Sequence, residues 1–170
     1  MTGLRVLLVP ILVILILERT RIASYAAAAV FVAGGLTDGL DGYLARRHHM
    51  ATRTGAWLDP LSDKLLVAAA IITMTAIGRF PVWGAVIILV REAAVTGLRV
   101  VRGTRGTSMP ATEIAKVKTV AQVLAVTMYL LPLSSEANPF RVAALAVAVA
   151  ITLYSGVDYF VKATRPSAVP

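Results

Sequence analysis

The chain has no cysteine, which excludes disulfides and any metal site built on thiolates. Histidine is nearly absent as well. His48 and His49 are the only two, adjacent in a polar segment with no ligand partner at helical spacing, so neither is read as a metal ligand. Acidic residues number nine against seventeen Lys and Arg. Only 15% of the 170 residues are charged, compared with about 25% in soluble domains. There is no low-complexity tract, long polar linker or internal repeat, which argues against a tethered multidomain chain or a solenoid. The remainder is apolar: 58% hydrophobic residues and a mean hydropathy of +0.78. That excess over a soluble domain points to a bilayer.

Six apolar stretches are separated by short polar breaks. They run from about Leu4 to Leu17, Ile22 to Leu44, Gly55 to Ile77, Phe80 to Val100, Ala115 to Leu133 and Pro139 to Val161. A spanning helix needs roughly 20 residues, which the second to sixth supply and the first approaches. The expected fold is an all-α membrane protein: six transmembrane helices in a single domain over residues 1–170, with both termini cytoplasmic. The first stretch resembles a signal-peptide core. No small-residue cleavage site follows it, since Glu18-Arg19-Thr20-Arg21 comes next, so it is read as retained.

Orientation follows from the basic residues. With the N-terminus inside, Arg5, Arg46, Arg47, Arg53, Arg99, Arg102, Arg105, Lys116, Lys118, Lys162 and Arg165 are cytoplasmic. Only Arg19, Arg21, Arg79 and Arg141 are outside. This is the asymmetry of the positive-inside rule. It accounts for the net charge of +8 without nucleic acid as a partner. Lys64 and Arg91 fall within predicted helices, Arg91 beside Glu92.

Four of the nine acidic residues, Asp38, Asp41, Asp59 and Asp63, fall in one 26-residue window. All four lie in or beside apolar helices, where a carboxylate is costly and usually functional. Asp38 and Asp41 are three apart and Asp59 and Asp63 four apart, so each pair shares a helix face. A short basic loop, His48 to Thr54, is expected to make the two helices antiparallel neighbours and bring the pairs to one cytoplasmic depth. Four convergent carboxylates need a cation, and hard oxygen ligands suit Mg²⁺, Mn²⁺ or Ca²⁺. Gly39, Gly42 and Ala45 thin one side of the second helix, and Gly55 lies one turn before Asp59. Small residues of this kind allow a helix or ligand to approach closely. Arg46 can reach a phosphate at headgroup level.

These residues carry a resemblance. Asp38-Gly-Leu-Asp41-Gly42-Tyr-Leu-Ala45-Arg46, then eight residues, then Gly55-Ala-Trp-Leu-Asp59-Pro-Leu-Ser-Asp63 resembles the signature of the CDP-alcohol phosphotransferases, with all eight defining positions filled. The resemblance implies six helices, a homodimer and two divalent cations, Mg²⁺ or Mn²⁺, held by Asp38, Asp41, Asp59 and Asp63. It also implies attack by an alcohol hydroxyl on the lipid-linked phosphate of a CDP-alcohol, with release of CMP. Asp63 is then the candidate general base, and Asp38, Gly39, Asp41, Gly42, Ala45, Arg46 and Gly55 line the CDP site.

The flanking segments narrow the comparison. Leu58-Asp-Pro-Leu-Ser-Asp-Lys-Leu65, Arg91-Glu-Ala-Ala-Val-Thr-Gly-Leu-Arg99 and Ala115-Lys-Val-Lys-Thr119 are similar to the bacterial phosphatidylglycerophosphate synthases of that family. The likeness extends from Thr2 to about Gln122. It implies CDP-diacylglycerol and sn-glycerol 3-phosphate as substrates and the bacterial cell membrane as location, with the active site on the cytoplasmic side. Arg91, Arg99, Lys116 and Lys118 are the candidates to hold the acceptor phosphate. A phosphatidylinositol-phosphate synthase or a cardiolipin synthase of the same superfamily would share the aspartates and differ in the acceptor pocket. Outside enzymes, a small cation transporter would place its carboxylates nearer mid-membrane, and a scaffold gives no reason for the fixed spacing.

Overall fold

Helix boundaries here follow local chemistry. A computed structural model describes residues 2–48, 55–104 and 113–164. The described residues form six helices and no strand: α1 Thr2–Leu17, α2 Arg21–His48, α3 Gly55–Ala76, α4 Val82–Thr104, α5 Glu113–Leu130 and α6 Asn138–Thr164, the last preceded by a 3₁₀ turn at Ser135–Ala137. His49, and the cations Arg53, Arg105 and Arg165 that enter the inside–outside asymmetry, lie outside the described residues.

Between α1 and α2 the chain turns through Arg19 at φ 54°. The Thr20 hydroxyl then accepts the Ala23 N–H at 3.1 Å, an N-cap for α2. The third helix is stopped two residues beyond Ala76 by Gly78, whose φ of 74° suits a residue without a side chain. The Arg79 N–H turns back to the Met74 carbonyl at 2.8 Å, the usual left-handed helix stop. Pro81 opens α4 by accepting the Ala85 N–H on its carbonyl at 3.1 Å.

The helix ends correct the hydropathy pattern, and α4 runs on past Val100 to Thr104. The second helix continues past Leu44 to His48, because Arg46 and Arg47 propagate a helix well although they are not apolar. His48 is therefore helical, not part of a loop. The fifth helix stops at Leu130 rather than Leu133, since a residue preceding proline, here Leu131 before Pro132, is disfavoured in the α region. Arg79 and Arg141 supply the donors that this end lacks. Arg79 Nη2 donates to the Leu130 carbonyl at 3.0 Å and Arg141 Nη2 to that of Leu131 at 2.8 Å, with favourable charge at a helix C-terminus.

The core joins all six helices. Leu12 and Ile16 of α1, Phe31 of α2, Ile71 and Met74 of α3, Ile88 of α4, Leu130 of α5 and Leu145 of α6 are sealed from solvent. The first helix packs on α2 and α3, the fifth on α2 and α6, and the fourth on α3 and α6. Two glycines set close approaches. A Cβ on Gly34 would stand 2.5 Å from Leu66 Cδ2, and one on Gly84 would stand 2.8 Å from Leu145 Cδ2.

Large apolar side chains also face outward on every helix, among them Ile14, Ile22, Ile72, Val90 (63% exposed), Leu124 (60%) and Tyr154. Among the described residues one stretch, Ser135–Val161, is long and apolar enough to cross a membrane by itself, and Leu7–Leu17, Arg21–Gly35 and Lys64–Ala76 are shorter apolar runs. The reason is visible in the charges. Arg91 and Glu92 interrupt α4 midway, and Lys116 and Lys118 occupy the first turns of α5.

Candidate active site

The site begins with the register of α2 against α3. The helices pack together and are tied at two levels. Gly34 meets Leu66. Further along, Arg79 Nη1, just beyond α3, donates to Ser24 Oγ near the start of α2 at 3.2 Å. The low number on one helix thus meets the high number on the other, so the two run antiparallel. Both rise 1.5 Å per residue. Carried toward the C-terminal end of α2, the Gly34–Leu66 contact brings Asp41 level with Asp59, and Asp38 within one residue of Asp63.

The backbone therefore places the two carboxylate pairs at matching heights on neighbouring helices. Gly39, Gly42, Ala45 and Arg46 continue along α2, and Gly55 starts α3. The side chains of residues 36–63, and that of Arg99, lie outside the description. As a donor set, four carboxylates on two adjacent helices fit hard divalent cations.

A second polar cluster lies one residue further along α3. Glu92 of α4 receives three cations from three helices: Lys64 of α3 at 3.4 Å on Oε2, its own neighbour Arg91 at 3.0 Å on Oε1, and Lys118 of α5, also on Oε1. Lys64 also donates to Thr96 Oγ1, and that hydroxyl donates to the Glu92 carbonyl at 2.6 Å. Arg91 reaches a fourth helix, its Nη2 donating to Ser155 Oγ of α6 at 2.7 Å. It passes over Gly156, where a Cβ would stand 3.4 Å from its Cγ and Nε. One turn from Lys118, Gln122 Nε2 donates to Thr152 Oγ1 at 3.0 Å.

These groups are well buried. The side chains of Arg91, Glu92 and Lys118 are 10%, 13% and 8% exposed, and that of Lys64 is 28% exposed. A lone charge at such a place in an apolar helix is costly, and mutual pairing removes most of the cost. Three cations and one carboxylate nevertheless leave two positive charges in excess among these four residues, which suits an anion.

Of the four residues expected to face the acceptor phosphate, the structure brings together Arg91 and Lys118. Arg99 lies two turns further along α4, and Lys116 is exposed on α5. The sequence reading gives no role to Lys64, Glu92 or Ser155. A signal existed for the first two, because any charge well inside an apolar helix invites a search for its partners. For Ser155 there was none, since a serine in a helix is unremarkable until Arg91 is found against it.

The model of the CDP-alcohol phosphatidyltransferase family matches residues 1–154. The chain belongs to that family. Within it, the chain is 40% identical to the CDP-diacylglycerol–glycerol-3-phosphate 3-phosphatidyltransferase of Bacillus subtilis over 173 aligned residues, 93% of this chain and 90% of the relative. It is 38% identical to a probable phosphatidylglycerophosphate synthase of Mycobacterium tuberculosis, covering 97% of this chain and 80% of that one. It is 34% identical to the Escherichia coli CDP-diacylglycerol–glycerol-3-phosphate 3-phosphatidyltransferase, covering 94% and 90%. In this CDP-alcohol phosphatidyltransferase the aspartates Asp38 and Asp41 lie on α2, and Asp59 and Asp63 on α3, at the register just described.

Proposed function

We propose that the chain transfers the phosphatidyl group of CDP-diacylglycerol to sn-glycerol 3-phosphate, giving phosphatidylglycerophosphate and CMP. The observation that carries this reading is the juxtaposition on α3 of two unlike polar groups. The carboxylate pairs of α2 and α3 end at Asp63, and the cation cluster around Glu92 begins at Lys64. One side suits the nucleotide and its metal, the other a phosphorylated alcohol. The substrates that the names of the Bacillus subtilis and Escherichia coli relatives state are of that kind.

In this reading Asp38, Asp41, Asp59 and Asp63 hold two divalent cations, Mg²⁺ or Mn²⁺. When bound, these neutralise charge on the transferring phosphate, the main requirement of phosphoryl transfer. Gly39, Gly42, Ala45 and Gly55 leave room for the cytidine nucleotide, and Arg46 contacts its phosphates. Asp63 takes the proton from the acceptor hydroxyl as its oxygen attacks the lipid-linked phosphorus. The bond from that phosphorus to CMP breaks, and CMP leaves. Arg91 and Lys118, with Arg99 and Lys116 toward the cytoplasmic mouth, hold the acceptor's phosphate. The outward apolar side chains support a bilayer around the helices. The basic residues favour six spans with both termini cytoplasmic in the bacterial cell membrane, and the family resemblance implies a homodimer.

Purified protein with CDP-diacylglycerol, Mg²⁺ or Mn²⁺ and a panel of acceptors is expected to release CMP with glycerol 3-phosphate. A preference for inositol phosphate or phosphatidylglycerol would refute the acceptor and leave the phosphatidyl transfer standing. CMP release with no acceptor in the panel would refute the transfer itself.

Arg91→Gln tests the acceptor pocket within that assay. Losing one charge-assisted contact costs about 1.5–3 kcal/mol, or roughly tenfold to a hundredfold in affinity. The KM for glycerol 3-phosphate should rise by that factor while the KM for CDP-diacylglycerol stays near the wild-type value. Equal changes in both, or none, would remove Arg91 from the acceptor site.

A further inference from the structure

We propose that Glu92 is the positioning residue of the acceptor site: it gathers Lys64, Arg91 and Lys118 into one phosphate-receiving surface without touching the phosphate. This rests on the reading that a phosphorylated alcohol is the acceptor, and it adds a residue that the signature does not contain.

The geometry is unequal in a telling way. One carboxylate serves three cations, with Arg91 and Lys118 on Oε1 and Lys64 on Oε2. The cations come from three helices, and their mutual repulsion in a poorly solvated place is strong. Without a central anion they would turn apart, each toward whatever water or carbonyl lay near. With it, the three cationic heads share one neighbourhood. Arginine has five N–H donors and lysine three, so the bonds of Arg91 to Glu92 and Ser155 and of Lys118 to Glu92 leave donors on those two residues for an incoming phosphate.

Glu92 cannot bind the phosphate itself, because both are anionic. It acts through the cations. Lys64 gives the arrangement its reach, since it directly follows Asp63 on α3. Its ion pair with Glu92 at 3.4 Å ties the cation cluster to the helix that carries the candidate base. In glycerol 3-phosphate the phosphate and the reacting hydroxyl are a fixed few bonds apart. The offset between cluster and base therefore decides whether the bound acceptor presents that hydroxyl. On the far side, the Arg91–Ser155 bond at 2.7 Å anchors the same cluster to α6.

The test is a pair of variants in the CMP-release assay, both substrates titrated separately. Glu92→Gln keeps the shape and loses the charge. It should raise the KM for glycerol 3-phosphate at least tenfold and leave that for CDP-diacylglycerol within twofold. Glu92→Asp keeps the charge but is one methylene shorter, and should fall between Glu92→Gln and wild type. Glu136→Gln, which removes an exposed carboxylate in the 3₁₀ turn before α6, should match the wild type and so control for net charge.

Should Glu92→Gln fold poorly, Glu92→Asp carries the test alone through its acceptor KM. Equal rises in both KM values, or a lowered melting temperature with an unchanged acceptor KM, would make Glu92 a helix tie and overturn the proposal. A wild type that ignores glycerol 3-phosphate would instead overturn the acceptor reading. The same titrations with the phosphorylated alcohol it does use would then decide Glu92, and an acceptor without a phosphate would overturn it.

Discussion

Asp59→Asn should abolish turnover, by on the order of a thousandfold or more, with the protein still inserted and folded. Asparagine keeps the volume and one carbonyl oxygen of aspartate and removes only the charge. The α2–α3 register sets Asp59 level with Asp41, so the missing charge falls directly across from Asp41 in the four-carboxylate set. Removing a single preorganised stabilising group from a phosphoryl- or acyl-transfer site typically costs 10²–10³ in rate, and a ligand shared with a bound cation costs at least that. Two measurements check this. CMP release by the variant is compared with wild type at equal protein, with elution in detergent confirming the fold. Binding of Mn²⁺ is followed by its paramagnetic resonance, which reads the site without turnover. Chelation of the wild type should produce the same loss, and added Mg²⁺ or Mn²⁺ should restore it. Near-normal rates in Asp59→Asn would remove it from the ligand set, and full activity after exhaustive chelation would end the metal reading.

Gly42→Leu should eliminate detectable binding of CDP-diacylglycerol at concentrations that saturate the wild type, while expression and helix content are retained. Gly42 lies on α2 directly after Asp41 and one turn before Arg46. The proposal gives that space to the nucleotide. A leucine there costs the helix nothing, since leucine forms helix better than glycine by about 0.5–1 kcal/mol. The fold and the ligand are thus affected in opposite directions. Filling an occupied space costs about 1–3 kcal/mol even where neighbours can adjust, and a rigid nucleotide against a helix backbone adjusts little. Titration of the inactive Asp59→Asn/Gly42→Leu double variant against Asp59→Asn alone would measure binding apart from turnover. Unchanged affinity for the CDP-lipid would contradict the role of Gly42.

Much of this molecule is local, and the local part is legible. The six helices follow from runs of apolar residues broken by charges, because in apolar surroundings a segment must satisfy its own backbone hydrogen bonds and a helix does so within one stretch. The Asp38–Asp63 signature is likewise a short window whose spacing survives in one dimension, and it pointed to the family that the comparisons show. Helix ends were read less well. Hydropathy stopped α2 at Leu44 because Arg46 and Arg47 are charged, yet the backbone continues to His48. It carried α5 to Leu133 although Pro132 ends the helix earlier.

By itself, then, the sequence determined an all-helical chain of this family, with four aspartates in one window and a surplus of cations. Only the tertiary structure decided which groups meet. Gly34 against Leu66 sets the heights of the aspartates, and it does so through a missing side chain and not through any periodicity. Glu92 meets Lys118, 26 positions away, and Arg91 meets Ser155, 64 positions away. Periodicity reports which face of a helix is apolar, but it carries no information on which other helix that face will find. The partner is chosen by the packing of all six helices at once, and the cation cluster exists only after that choice is made.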